Sequence, residues 1–429
     1  LSLIFKKLSG KHLACAAAAV VGTVLFANVR PENTDPSDGG TPPPAAPLPA
    51  VPATIPGAAE DGLIYLPTDG GTFKATTLDP RLQTWLSAWL QDRGAPIAAV
   101  VVAEAKTGRI LAMAGGRDGE RWGSVGHPAV HNKFPAASLF KTVVTAAAYE
   151  MADISSSQPF GLHGGCGHVS PNGVWMNDQL TRGRRGAPTG MSLKRAYGLS
   201  CNGFYAKIAL NQLGLGIITS FARRLGYSSD TMRTDFAAEP GQMLAPSARN
   251  SSAYTVGRFA AGFGHVGTSA VHVAWQMVAI ANDGVPVPLR LFRDTPAHEW
   301  ESNEARERAR ILSPETAASL RETMEATVRG GTASFAFTRG KYRKLRSVVG
   351  GKTGTLTGKT PAGLTTLFSG MMPLDTPEVV VSSIVILEDR WIVKAPTLAA
   401  EALAAWSELK AQDLRRVAAG SGESSTLRR

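Results

Sequence analysis

Three short motifs stand in a fixed order along 429 residues: Ser138-Leu139-Phe140-Lys141, then Ser200-Cys201-Asn202, then Lys352-Thr353-Gly354-Thr355. Any fold in which they act together has to gather segments 62 residues (138 to 200) and 152 residues (200 to 352) apart. As an ordered set they supply a nucleophile, a base, a proton shuttle and an anion clamp, the parts that acyl transfer through a serine ester requires.

Each motif has a chemical reading, and two have rival copies. Ser138 sits where loop sequence becomes an alanine-rich helix, which puts Lys141 one turn on along the same face. Serine is inert at neutral pH without such a base, and the helix N-terminus favours developing negative charge. A lysine near its reference pKa of about 10.4 is a cation, so burial and a second cation have to lower it; Lys352 fits that part. Ser407 and Lys410 repeat the spacing in the terminal segment without that context. The Ser200 motif lies between two helical patterns, Met191 to Leu199 and Gly203 to Leu213, as a supported inter-helix turn. Its rival, Ser170-Pro171-Asn172, lies in loop sequence suited to plain turn formation. Ser200 could relay a proton from Lys141 to the leaving group, and Asn202 could hydrogen-bond a substrate amide. Lys352, Thr353 and Thr355 would bind a carboxylate, while Gly354 permits close approach of substrate backbone. Backbone N–H groups of Ser138 and Thr355 would form an oxyanion hole.

The surrounding pattern predicts an α+β fold. Leu82, Trp85, Leu86, Trp89 and Leu90 recur at helical spacing within 76–92, after a cap at Asp79-Pro80. Ala98 to Glu104 and Arg109 to Ala114 read as a β-hairpin. A Gly-rich polar section runs from Gly161 to Gly190. Helical patterns follow at 203–213, 216–225, 270–281 and 314–328, and strand-like runs at 345–351, 364–372 and 378–387. The segment 396–418 reads as a terminal helix. Early and late strands would share one antiparallel sheet flanked by helices, with an inserted, mostly helical lobe between them.

The N-terminal sixty residues read differently. Lys6, Lys7 and Lys11 precede the apolar run Leu13 to Val29, so 1–12 is expected to be cytoplasmic and 13–29 to be an uncleaved, single-pass transmembrane signal anchor. Prolines crowd the stretch 30–59, which reads as a semi-rigid linker. The folded domain is expected over 60–410, with 411–429 the end of the terminal helix and a flexible tail. A net charge of +11 behind an export anchor suggests an anionic wall polymer or membrane surface rather than nucleic acid. Of three cysteines, Cys166 and Cys201 would face an oxidising compartment and could form a disulfide, although spacing alone cannot show proximity. His163, Cys166 and His168 cluster as zinc ligands can, but no fourth ligand is evident; neither metal nor cofactor is expected.

The ordered triplet resembles the transpeptidase domain of the penicillin-binding proteins, within the serine acyltransferase and β-lactamase superfamily. Thr77 to Gln83 and Lys106 to Ala112 look like the opening of that domain. Gly262-Phe263-Gly264 and Ala279 to Gly284 resemble its central lobe, and Gly330 to Ala333 the stretch before the third motif. The motif separations suit the helical lobe. The likeness covers about residues 75 to 408. It implies a periplasmic or extracellular catalytic domain on the bacterial inner (cytoplasmic) membrane, acting on peptidoglycan stem peptides as a D,D-transpeptidase through an acyl-enzyme on Ser138. Release of terminal D-Ala and covalent binding of β-lactam antibiotics go with that activity. The sequence resembles a stand-alone form without glycosyltransferase or pedestal domain, which implies a partner glycosyltransferase in a membrane cell-wall synthesis complex. Leu367-Phe368 stands where the family often has Trp-Phe. A D,D-carboxypeptidase, a β-lactamase and a non-catalytic penicillin-binding sensor remain alternatives.

Overall fold

The computed structural model describes residues 62–423, apart from 68–71, 95–96, 118–127, 132–133, 183–187, 248, 250, 296–301, 360–361 and 389–392. The expected anchor (13–29), the linker (30–59) and residues 424–429 lie outside the described residues. No helix among the described residues is long and apolar enough to cross a membrane.

The elements that position the site are, in chain order, α1 (Pro80–Arg93), β1 (Ile97–Glu104), β2 (Ile110–Arg117), α2 (Lys141–Ala152), α3 (Leu193–Gly198), α4 (Asn202–Ile208), α5 (Ala270–Ala281), α6 (Pro314–Arg329), β3 (Gly350–Lys359), β4 (Ala362–Met372), β5 (Val379–Leu387) and α7 (Ala395–Glu423). Asp79 caps α1 by accepting from the N–H groups of Arg81 and Leu82, Pro80 opens it, and Gly94 ends it in the left-handed region. The five strands form one antiparallel sheet in the order β3-β4-β5-β1-β2. The N- and C-terminal parts therefore meet at the β5–β1 pair, which aligns Ile384 with Ala99 and Val381 with Val102.

Both faces of the sheet are covered, which is why its central strands read as unbroken apolar runs. Along β1, Ala99, Val101 and Ala103 face the helical lobe with Phe140, Tyr205 and Trp275. Ala98, Val100 and Val102 face the opposite cluster with Leu86, Phe368 and Leu403. Central to the lobe is α5, buried along almost its whole length.

Two expectations are corrected. The run 345–351 is not a strand throughout: 340–347 forms 3-10 turns and β3 begins at Gly350. Leu345 is the only buried side chain of that turn segment, so its apolar content anchors a turn rather than lining a sheet. The 203–213 helix gives way after Ile208 to a wider π turn over Ala209–Leu213.

Candidate active site

Ser138 lies in a 3-10 turn, Ala137–Phe140, that runs directly into α2. The turn is held in an unfavourable conformation: Ala137 has φ 46°. Gly262 (φ 91°) makes room for it, because a Cβ there would come 1.9 Å from the Ala137 carbonyl oxygen. Phe140 anchors the turn from below, packed at 5.3 Å on Tyr227 and 5.1 Å on Phe259 between ring centroids. One turn on, Lys141 is fully buried.

The second motif closes the C-terminus of α3. Ser200 N–H donates to the Tyr197 carbonyl and Cys201 N–H to that of Ala196, with Ser200 itself in the left-handed region at φ 56°. Asn202 then opens α4. The third motif lies on β3, the edge strand of the sheet, where Gly354 lies against the Ser138 turn; a Cβ there would sit 3.0 Å from Leu367 Cδ1 and 3.3 Å from the Ala136 carbonyl oxygen.

These three segments converge. Lys141 Nζ lies 2.5 Å from Ser138 Oγ, 2.7 Å from Asn202 Oδ1 and 3.5 Å from Ser200 Oγ. Lys352 Nζ approaches Ser200 Oγ from the other side at 3.0 Å and donates to the Thr353 carbonyl at 2.8 Å. Ser200 thus bridges two buried lysines, neither of which has a carboxylate partner among these contacts. Burial is the larger cause that drives the Lys141 amine well below the usual lysine range, and the Lys352 charge adds to it. Burial alone takes Lys352 down to about 7. Aromatic rings line both amines: Tyr205 stands 5.7 Å from Lys141 Nζ and Tyr197 5.4 Å from Lys352 Nζ. Their hydroxyls are tied to Thr145 and Thr142 of α2.

A cleft of about 250 Å³ opens over this network, and Ser138, Ser200, Asn202, Thr353, Gly354 and Thr355 all contribute to its lining. A larger hollow of about 770 Å³, between α7 and the β1–β2 turn, contains none of the motif residues. Cys166 and Cys201 are joined in a disulfide, with Cα atoms 4.4 Å apart. The same bond occupies the sulfur of the His163, Cys166 and His168 group, and His163 Nε2 meets the Gln179 carbonyl instead. Neither rival copy lines the cleft: Ser170 Oγ donates to Asn172 Oδ1 within its own turn, and Lys410 pairs with Glu378.

Sequence reasoning did not assign Thr332, Phe335, Thr366, Lys394 or Pro396 to the cleft. Thr332 hydrogen-bonds Thr353 side chain to side chain and holds the Gly198 carbonyl through its N–H, tying the end of α3, just before motif two, to motif three. Phe335 and Lys394 enter the lining together, the ammonium 5.4 Å above the ring. Thr332 is marked only as part of the Gly330 to Ala333 stretch, and Phe335 and Lys394 have no periodic or spacing signal. Leu367 lines the cleft, whereas Phe368 points into the opposite core.

A family profile described as "Penicillin binding protein transpeptidase domain" matches residues 98–402. Penicillin-binding protein PbpB of Mycolicibacterium smegmatis is 26% identical over 341 residues, 73% of this chain and 50% of that protein. The chain spans about half the length of the curated relatives it matches. Among solved structures, penicillin-binding protein 3 of Mycobacterium tuberculosis complexed with aztreonam superposes with a TM-score of 0.60 at 22% identity, covering 79% of each chain. The D,D-transpeptidase domain of a peptidoglycan glycosyltransferase from Eggerthella lenta gives a TM-score of 0.59 at 20% identity, over 82% of this chain and 97% of that one.

Proposed function

The chain belongs to the penicillin-binding protein transpeptidase family, and on that premise we propose that it is a peptidoglycan D,D-transpeptidase working through an acyl-enzyme on Ser138. The observation that carries this reading is the unbroken path Ser138 Oγ–Lys141 Nζ–Ser200 Oγ–Lys352 Nζ. An amine kept neutral by burial can accept the Ser138 proton as Oγ attacks the carbonyl of the penultimate D-Ala. The tetrahedral oxyanion is received by the backbone N–H groups of Ser138 and Thr355. When the C–N bond breaks, the proton passes from Lys141 through Ser200 to the departing D-Ala amine, leaving an ester on Ser138. An acceptor amine then attacks the ester, gives up its proton along the same path and restores the serine. Lys352 and the Thr353 and Thr355 hydroxyls bind the donor carboxylate. The edge position of β3 leaves one side of the strand for an extended peptide to pair with.

Asn202 takes a part that its motif did not suggest. Its Oδ1 is engaged by Lys141 and its Nδ2 by the Gly167 carbonyl, so it orients the base as well as facing the cleft. The aztreonam complex of the M. tuberculosis relative supports acylation of Ser138 by β-lactams. We place the domain outside the cytoplasmic membrane of a bacterium, tethered by the 13–29 segment and working beside a partner glycosyltransferase. The test is incubation of the purified protein with a pentapeptide donor and an amine acceptor. Cross-linked product with release of D-Ala is the expected result. Tetrapeptide as the sole product would replace this reading with a carboxypeptidase, and no product from any donor would remove it.

A further inference from the structure

Asn202 is gripped from outside its own helix. Its backbone N–H donates to the Cys166 carbonyl at 2.8 Å and its Nδ2 to the Gly167 carbonyl at 2.9 Å. Both acceptors belong to the stretch Gly164-Gly165-Cys166-Gly167, whose three glycines are exposed and whose first two have φ of 74° and 76°. Glycine-rich chain loses more backbone entropy on ordering than any other composition, about 1–2 kcal/mol per residue, whereas each hydrogen bond returns only about 1 kcal/mol. The nearest side-chain anchors on either flank are His163, whose Nε2 meets the Gln179 carbonyl at 2.9 Å, and the Ser170 carbonyl, held by Trp175 Nε1 at 2.8 Å. Between them the covalent tie is the Cys166–Cys201 disulfide, and Cys201 is the residue between Ser200 and Asn202.

The orientation of the Asn202 amide matters because its two ends are chemically opposite. Oδ1 only accepts and Nδ2 only donates. With Nδ2 taken by Gly167, Oδ1 is the end that meets Lys141. A released amide could turn its NH2 toward an amine whose lone pair is needed for the Ser138 proton.

We propose that the Cys166–Cys201 disulfide is a positioning device for acylation: it fixes the Gly167 carbonyl on Asn202, and through Asn202 sets the Lys141 amine on Ser138. Cys166 and Cys201 touch no reacting atom and act through Asn202. This rests on the acyl-enzyme reading of Ser138. The groups that face Lys141 besides Ser138, Ser200 and Asn202 are Lys352 from β3 and Tyr205 from α4, with Tyr197 of α3 behind Lys352.

Cys166 is half-buried in an exposed loop, within reach of a small dithiol. On reduction, dithiothreitol gives its two thiol hydrogens to the Cys166 and Cys201 sulfurs and closes to its own disulfide. The test measures acylation by a fluorescent penicillin across pH for the full chain in four forms: oxidised, reduced under native conditions, reoxidised, and the double variant Cys166→Ser/Cys201→Ser. Reduction and the double variant are expected to slow acylation by about 10–100-fold, the scale of a misplacement of about 1 Å, with little change in non-covalent affinity. The acid limb of the pH profile should move to lower pH, since Lys141 loses the oxygen that steadies its protonated form, and reoxidation should restore both. Circular dichroism should be unchanged. Unaltered rate and profile after reduction would overturn this proposal alone, as would loss of the fold, which would make the bond merely structural. No labelling of the oxidised protein would overturn the acyl-enzyme reading, and this proposal with it.

Discussion

Acidification should weaken this domain through a single buried imidazole. His272, on α5, is fully buried. Its Nε2 lies 2.9 Å from the Leu225 carbonyl and its Nδ1 2.8 Å from Thr268 Oγ1. A carbonyl can only accept, so Nε2 carries the hydrogen and Nδ1 accepts from the threonine hydroxyl; the neutral ring is satisfied. Gly226 and Gly241 close the site against water, since a Cβ at Gly241 would come 2.3 Å from the imidazole Cε1. Burial, only partly offset by the Leu225 hydrogen bond, pushes the imidazole down from 6.5 to about 4. The unfolded chain therefore binds a proton that the native state refuses. The stability due to the neutral ring is complete above about pH 6.5 and is lost progressively as pH falls to about 4. About 2.5 units at 1.36 kcal/mol each gives roughly 3 kcal/mol, a substantial part of the 5–15 kcal/mol typical of a domain. The damage should reach the site early, because His272 packs edge-on against Tyr227, which supports Phe140 under the Ser138 turn. Denaturant unfolding followed from neutral pH down to about pH 4, for the native sequence and for His272→Gln, isolates the effect. The native sequence should lose roughly 3 kcal/mol more than the variant over that range. Parallel curves would refute the reasoning.

Three further outcomes follow from other parts of the structure. Lys141→Met removes a buried amine that has no carboxylate partner, so penicillin acylation should fall by about 10²–10⁴-fold while the melting temperature rises, read by labelling and calorimetry on the same sample. Gly262→Ala drives a Cβ into the Ala137 carbonyl at a left-handed position; it should cost at least about 1–3 kcal/mol and slow acylation with it, whereas Gly216→Ala, which meets nothing within 4 Å and needs no left-handed φ, should keep the acylation rate. Glu401, buried on α7, accepts from Trp85 Nε1, Lys341 Nζ and Tyr342 OH. Glu401→Leu strands all three donors and should cost about 3–5 kcal/mol in denaturant unfolding, with no change in the acylation rate of the folded fraction.

What could be read in the sequence was whatever depends on neighbours along the chain. The Asp79-Pro80 cap, the hairpin around Ala105 to Gly108 and the helix after Ser138 are local, and each stands within a few residues of its expected place. The 345–351 run misled because Leu345, Val348 and Val349 are apolar for different reasons, one anchoring a turn and another entering the core behind β3. The motifs identified residues that line the cleft and the order Ser138–Lys141–Ser200, but not that Asn202 also holds the lysine. That hold depends on a contact 61 residues apart. Thr332 follows two glycines with no pattern of its own, and the Gly167 carbonyl is a backbone group that any residue carries. The cysteine pair was visible, but its closeness comes from a glycine loop folding back onto α4.

The most direct test of the central claim is mass spectrometry of the protein after exposure to a penicillin, with the modified peptide located by proteolysis. One acyl adduct per chain is expected, on the peptide containing Ser138, absent from Ser138→Ala and formed slowly in Lys141→Met. No adduct, an adduct on another residue such as Ser200, or an adduct that survives Ser138→Ala would contradict it.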